Sequence, residues 1–377
     1  MRQVFSNAVI LEGGDLEVTR GYLVVEGRKI KKISEGSPPG RATDLKGGII
    51  LPPFINAHTH VGDTVGKEMY LGKPQPEVVG PGGVKFKVMA SSPTRKTVSS
   101  IRATLKDMVR TGTSVHCDFR ENGLAGLKLL KKAAAPGLRT LTLGRGETVE
   151  ETREVLKKAD GIGLPSISSF SLEELQEISQ RTNRKHKLLS LHAAETEEAQ
   201  ELSVKNTGKG EIQRALELKP SFIVHATHGS TDDLKRLAKE KVPVVFCPRS
   251  NQLLSVGTPP INKAMELGVD FWLGTDNVMV AQPDMFEELR FAWAVMRRED
   301  HGVGKEESRQ LLTAATTAPA EKLGVRGGAI YSGGGATFLI LSRKNNLQDI
   351  SDIHAGIVNR ARADNIRSFF LSGKAIF

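Results

Sequence analysis

The chain has only two cysteines in 377 residues, Cys117 and Cys247, each in a strand-like run and far apart. That excludes a disulfide framework of the secreted kind, so a reduced, cytoplasmic setting is expected. Nowhere do about eighteen apolar residues run together, the length a membrane span needs. The opening MRQVFSNAVILEGG has no charged region leading into an apolar stretch of signal-peptide length. Neither export nor a membrane span is expected. No aromatic-basic run of the RNA-binding kind occurs, and there is no low-complexity tract. The net charge of +10, from 53 Lys plus Arg against 43 Asp plus Glu, does not by itself mark a nucleic-acid partner. Most lysines lie in helical stretches such as GLKLLKKAAA and TDDLKRLAKEK, alternating with apolar positions as on a solvated face. A small-molecule substrate is the expected partner, with no nucleic acid and no membrane; a homo-oligomer stays open.

What is present is the profile of a globular enzyme, with 39% hydrophobic residues, 25% charged residues and 38 glycines. The length suits one large α/β barrel with a small accessory domain, or two ordinary domains. Residues 1–50 are short strands punctuated by glycine, with a hairpin turn expected at Glu26 and Gly27. From residue 51 the texture becomes strand, loop and amphipathic helix in alternation. The strand candidates are ILPPFINA, TSVHCDF, LRTLTLG, GIGLPSIS, KLLSLH, SFIVH, VPVVFC and VDFWLG, eight in all. The first is the apolar run Ile49, Ile50, Leu51, Phe54 and Ile55, read as one buried strand. Val98, Ile101, Leu105 and Met108 mark one face of a helix, and Thr148 with Glu151 and Ser171 with Glu174 fit capping boxes. Eight such alternations over roughly 270 residues predict an α/β fold of the (β/α)8 TIM-barrel type, with a doubly wound sheet as the competing layout. Strand texture returns in ATFLIL and NIRSFFLSGKAIF. The expected organisation is therefore a barrel over 51–325 and a composite β-sandwich domain from 1–50 and 326–377.

INAHTHVGD, residues 55–63, holds two histidines one residue apart just after an apolar run. On an extended chain, alternate side chains share a face, so His58 and His60 can grip one ion together. By itself this is a weak sign, because such pairs also occur on solvated strand ends. In a barrel, however, chemistry gathers at the C-terminal ends of strands. There stand His58 and His60 in the first strand, His192 in LLSLHAAET, His225 in FIVHATHGS and Asp276 in FWLGTDN. Three imidazoles and a carboxylate (His58, His60, His192, Asp276) suit one divalent ion, zinc first and ferrous iron as the alternative, with a position left open for water.

These stretches resemble the amidohydrolase superfamily, and within it the branch of cytosine, guanine and S-adenosylhomocysteine deaminases that also holds the triazine hydrolases. NAHTH, HAAET, HATH, CPRSN followed by LLSVG, and LGTDN stand in the family order across residues 51 to about 325. The resemblance implies a metal-dependent hydrolase of non-peptide C–N bonds acting through a mononuclear metal-bound hydroxide. It implies that Asp276 takes the water's proton and passes it to the leaving group. Glu195 would protonate a ring nitrogen, and His225 would hold the water and stabilise the oxyanion. Two-metal members carry a carboxylated lysine after the fourth strand; here GIGLPSISSF offers serines, so one ion is expected. The separate zinc-deaminase pattern, H-x-E with P-C-x-x-C, is absent.

Each residue also has a plainer role. Glu195 could be only an acidic charge at the start of the ETEEAQEL helix. His225 and His228 could trade roles, and Asp276 could cap the next turn. His116 reads as packed within its strand or as support behind the ligands, and His186, His301 and His354 as surface residues. Arg120, Arg145, Arg249 and Asn251 fall at the same rim. The arginines could bind an anionic substrate tail or pair with neighbours such as Glu121 and Glu147; Arg249 and Asn251 could merely fix a loop. Segment 61–95 is rich in glycine and proline and has no Trp, where related nucleoside deaminases place aromatic anchors; it reads as a mobile lid or substrate loop. The leading expectation is deamination of a purine, pyrimidine or pterin ring amine. The alternatives are hydrolysis of a cyclic amide or an s-triazine and, remotely, a non-catalytic scaffold.

Overall fold

The computed structural model describes residues 2–325 and 328–377. The expected start of the closing β segment at residue 326 lies outside the described residues. The strands open with β1 (Arg2–Glu12), β2 (Glu17–Glu26), β3 (Lys29–Glu35), β4 (Thr43–Leu51), β5 (Phe54–His60) and β6 (Thr113–Arg120). There follow β7 (Arg139–Gly144), β8 (Gly161–Leu164), β9 (Leu188–Ala193), β10 (Phe222–His225), β11 (Val244–Phe246), β12 (Phe271–Leu273) and β13 (Asp276–Asn277). The chain ends with β14 (Phe338–Leu341), β15 (Ile366–Leu371) and β16 (Lys374–Ala375). Two compact units result: one runs to Ile55 and adds Met108–Ser114 and Met285–Phe377, the other takes Asn56–Asp107 and Val115–Asp284.

Strands from both termini form one seven-stranded sheet, in the order β16-β15-β14-β4-β1-β2-β3. Its core includes Phe5, Leu23, Val25, Ile30, Ile50, Phe338 and Phe370. The rings of Phe338 and Phe370 stack at 4.8 Å while Phe5 meets both edge-on. The hairpin turn falls where expected, with Glu26 opposite Lys29 and Gly27 in the left-handed region at φ +60°. The run from Ile49 to Ile55 is not one strand. Ile49, Ile50 and Leu51 belong to β4, between β1 and β14, and the barrel strand begins only at Phe54. Pro52 and Pro53 lack the N–H groups a ladder needs, so the chain leaves one sheet there and enters another.

The second sheet runs β12-β11-β10-β9-β8-β7-β6-β5-β13, parallel from β6 to β12. β12 and β13 are two halves of one strand path. The first half pairs with β11, Val244 opposite Phe271, and the second pairs with β5, Asp276 opposite Thr59. That path closes the ring of eight strands and makes the sheet a (β/α)8 barrel. Closure depends on Gly274, where an added Cβ would lie 2.8 Å from both N and Cβ of His58 and 2.9 Å from Val245 Cγ1. Asn56 holds the same crossing: its Oδ1 accepts from Thr275 N at 3.0 Å and its Nδ2 donates to Thr275 Oγ1 at 2.7 Å. Inside the barrel, Phe119, Phe222 and Trp272 pack ring on ring, and Phe119 lies edge-on at 4.3 Å to His58.

The helix Thr94–Arg110 buries Ile101, Leu105 and Met108, as its periodicity predicts. Ser171 and Glu174 form a complete capping box. Thr148 caps its helix by accepting from Glu151 N, but the Glu151 carboxylate turns to Glu147 N at 2.9 Å instead of returning to Thr148. Segment 61–95 departs from a glycine-rich loop. It contains a 3-10 turn (Val61–Gly66) and two helices (Gln75–Val79, Val84–Ser91), and it buries Val78 and Lys85. His354, read as a surface residue, is buried because its Nε2 meets Leu16 O at 2.8 Å. Among the described residues, no helix is long and apolar enough to cross a membrane.

Candidate functional site

His58 and His60 end β5, His192 stands at the end of β9, His225 ends β10 and Asp276 opens β13. Two of these backbones are strained, with φ of +78° at His225 and +60° at Asp276. Residues other than glycine rarely adopt that region, and here the sharp turn at each strand end accompanies a side chain aimed into the barrel mouth. His60 Nε2 lies 3.3 Å from His192 Nε2, His58 Nε2 3.2 Å from Asp276 Oδ1, and His60 Nε2 3.5 Å from the same oxygen. Ligands at ~2.0–2.1 Å from one tetrahedral ion are separated by ~3.3 Å, so the spacings fit shared coordination. His58 is wholly buried; its Nδ1 has no hydrogen-bond partner among the described residues, and its Nε2 has only the approach to Asp276. Nitrogens so placed are costly unless an ion or water meets them. The ligand atoms of His58, His60 and His192, and those of His58, His225 and Asp276, lie within 4.8 Å of one another.

The surroundings prepare these groups for a cation. His192 Nδ1 meets Leu164 O at 3.0 Å and His60 Nδ1 meets Glu121 Oε1 at 2.7 Å, which leaves both Nε2 atoms facing the centre. Burial pushes the His58 pKa down to about 3 and lowers those of His60 and His192, so the imidazoles are neutral, as ligands must be. Burial works to raise Asp276, but the contact with His58 leads the effects that outweigh it and hold the carboxyl well below its usual range. Asp276 accepts from Ser250 Oγ at 2.6 Å and from Asn277 Nδ2 at 2.9 Å. The centre suits a divalent metal ion.

A cavity of about 630 Å³ opens over this group. Gln75, Pro76, Val79, Arg145, Pro165 and Glu195 are among the residues that line it. Glu195 Oε1 accepts from Gln75 Nε2 at 3.0 Å, and Oε2 lies 3.8 Å from His225 Nε2. Glu195 stands outside the helix Glu197–Thr207, whose start is served by Thr196 as cap and by Glu197 and Glu198 in the first turn. His228 turns away, its Nε2 at 2.6 Å from Val256 O. Of the four rim candidates, Arg145 lines the cavity. Arg120 is buried at 2.9 Å from Glu121 Oε2 and 3.6 Å from Asp118. Arg249 Nη1 donates to Gln282 O at 3.0 Å, and the buried Asn251 donates to Thr227 Oγ1 at 2.7 Å.

The sequence reading missed the contacts behind these side chains: Glu121 on His60, Ser250 and Asn277 on Asp276, Gln75 on Glu195, and the buried Lys85. Glu121 had a signal, a second charge directly past an apolar strand in HCDFRENG. Lys85 had none in GGVKFKVM.

His116 is packed within β6, Nδ1 at 3.0 Å from Thr59 Oγ1 and Nε2 at 2.8 Å from Thr140 Oγ1. Burial pushes its pKa down to about 4. The unfolded chain binds this proton near pH ~6.5, so stability is lost as pH falls from there towards the folded value, by about 3 kcal/mol in all. His116→Gln is expected to flatten that part of the stability curve, measured by denaturant unfolding in steps between pH 4 and 7. Curves that stay parallel to wild type would refute it.

A closed α/β barrel with three imidazoles and a carboxylate gathered at its strand ends is an arrangement suited to metal-dependent hydrolysis. Known proteins agree. The family model for the amidohydrolase family matches residues 49–376. A putative aminohydrolase of Methanothermobacter thermautotrophicus is 31% identical over 99% of this chain and 98% of its own length. The 5-methylthioadenosine/S-adenosylhomocysteine deaminase of Pyrococcus furiosus is 24% identical over 99% of this chain and 94% of its own. The crystal structure of atrazine chlorohydrolase from Arthrobacter aurescens, complexed with zinc, superposes with a TM-score of 0.83 at 16% identity, covering 99% of this chain and 94% of that one. The chain belongs to the amidohydrolase family, and is a hydrolytic enzyme of C–N bonds.

Proposed function

We propose that the protein is an aminohydrolase that removes an amino group from a heteroaromatic ring of the purine, pyrimidine or pterin kind, using one divalent ion, zinc before ferrous iron, held by His58, His60, His192 and Asp276. The observation that carries this reading is Glu195, a carboxyl outside the ligand group, held by Gln75 on the cavity wall close to His225. Hydrolysis of a simple amide needs no such group, whereas an aromatic C=N bond becomes open to addition only when its nitrogen takes a proton.

The ion, when bound, supplies Lewis acidity and lowers the pKa of water there toward ~7. Asp276, steadied by Ser250, takes a proton from the attacking water and delivers it to the departing amine. Glu195 donates to the ring nitrogen beside the attacked carbon and recovers a proton from the added oxygen as the carbonyl forms and the amine leaves. His225, whose Nδ1 has no protein partner among the described residues, stabilises the charge that develops on the incoming oxygen. Pro76, Val79, Pro81, Pro165 and Ala199 supply apolar surface for a ring within an otherwise polar lining, and no Phe, Tyr or Trp lines the cavity among the described residues. Arg145 on that wall supports an anionic substituent on the substrate, because its Nη1 is buried without a hydrogen-bond partner among the described residues.

The test is a screen of purines, pyrimidines, pterins and their nucleotide or amino-acid conjugates with metal restored, assaying ammonia. Ammonia release from a ring amine is expected, faster for anionic conjugates. A ring-opened product or released chloride without ammonia would replace this reading, and equal rates on free base and conjugate would remove the anion.

A further inference from the structure

Lys85 lies in the first turn of the helix Val84–Ser91, its side chain 3% exposed. Its ammonium is 2.6 Å from Glu121 Oε1 and donates to Asn277 Oδ1 at 3.0 Å. Glu121 Oε1 in turn meets His60 Nδ1 at 2.7 Å, and Asn277 Nδ2 donates to Asp276 Oδ1 at 2.9 Å. One ammonium thus touches the partners of two ligand side chains, on β5 and β13, the two strands that meet where the barrel closes.

Charge balance toward Glu121 alone does not account for it, although Lys85 also offsets the charge of the buried Asp63. Glu121 already has Arg120 at 2.9 Å and Arg145 at 3.5 Å, and a further buried cation is costly to desolvate. What the ammonium adds is direction. With its oxygen bound to Lys85, the Asn277 carboxamide presents its NH2 to Asp276; flipped, it would set oxygen against a carboxylate. With Oε1 held by Lys85, Glu121 joins Phe119 O, 3.1 Å from His60 Nδ1, in keeping the proton on Nδ1 and leaving Nε2 to face an ion.

We propose that Lys85 is a positioning residue that aligns His60 through Glu121 and Asp276 through Asn277, so that packing of the helix Val84–Ser91 is a condition for a complete metal centre. This rests on the ligand set given under Proposed function. The test uses the full chain stripped of metal and titrated with Zn(II) against a chromophoric chelator, with denaturant unfolding run alongside. Lys85→Met is expected to lower zinc affinity about 10- to 100-fold, the usual cost of losing support behind a ligand. Asn277→Leu should lower it too, and the double variant should lose less than the product of the two, because both cut the same chain of contacts. Lys85→Gln, whose amide can still donate to Asn277, should lose less than Lys85→Met, and it serves if the methionine variant does not fold.

A merely structural lysine would lower the unfolding midpoint and leave the zinc affinity of folded protein unchanged; that result, or full additivity with Asn277→Leu, overturns the role of Lys85. Wild-type protein that takes up no zinc overturns the ligand set, and this role with it.

Discussion

Glu195→Gln is expected to cut ammonia release by about 10²- to 10⁴-fold, the range lost when a positioned proton donor is removed, while metal content stays at the wild-type level. The reason is geometric. Glu195 belongs to the cavity wall, with its contacts to Gln75 and His225, and makes none of the close approaches among His58, His60, His192 and Asp276. A carboxamide keeps the size and can still bond Gln75, so the fold and the ion should survive. Turnover measured beside metal analysis separates the roles. Near-wild-type turnover in a metal-loaded variant would remove Glu195 as the proton donor, and loss of metal would move it into the ligand group.

Asp276→Asn should act on both at once. The carboxylate stands 3.2 Å from His58 Nε2 and 3.5 Å from His60 Nε2, and it also accepts from Ser250 and Asn277. An amide there binds a cation weakly and takes no proton from water, so turnover should fall by about 10³-fold or more with metal occupancy falling alongside. Excess zinc should restore occupancy in part without restoring the rate, since the proton acceptor is still missing. Full recovery of rate with zinc would confine Asp276 to ligation.

Much of this centre was legible in the chain because its chemistry sits on regular spacing. Two histidines on alternate residues share a face, and an apolar run followed at once by His192, His225 or Asp276 marks a strand leaving a buried sheet. Other features misled for local reasons. Ile49 to Ile55 reads as one apolar strand because hydrophobicity does not distinguish the sheet to which each half belongs. Segment 61–95 reads as loop because glycine and proline dominate it, although it folds into short helices that bury Lys85. Arg120 and Arg145 both pair with Glu121, yet the first is also held against Asp118 while the second reaches the cavity.

The sequence by itself determined the alternation of strand and helix, the residue types at the strand ends and, through them, the capacity to hold a divalent cation; these depend on side chains close along the chain. Only the tertiary structure decided that the eighth strand closes against the first at Gly274, that His225 rather than His228 lies beside His58 and His192, and that Lys85 joins Glu121 to Asn277. The physical reason is that hydrogen bonds and ion pairs depend on distances in space, and Lys85 and Asn277, 192 residues apart, carry no shared periodicity by which the chain could announce their contact.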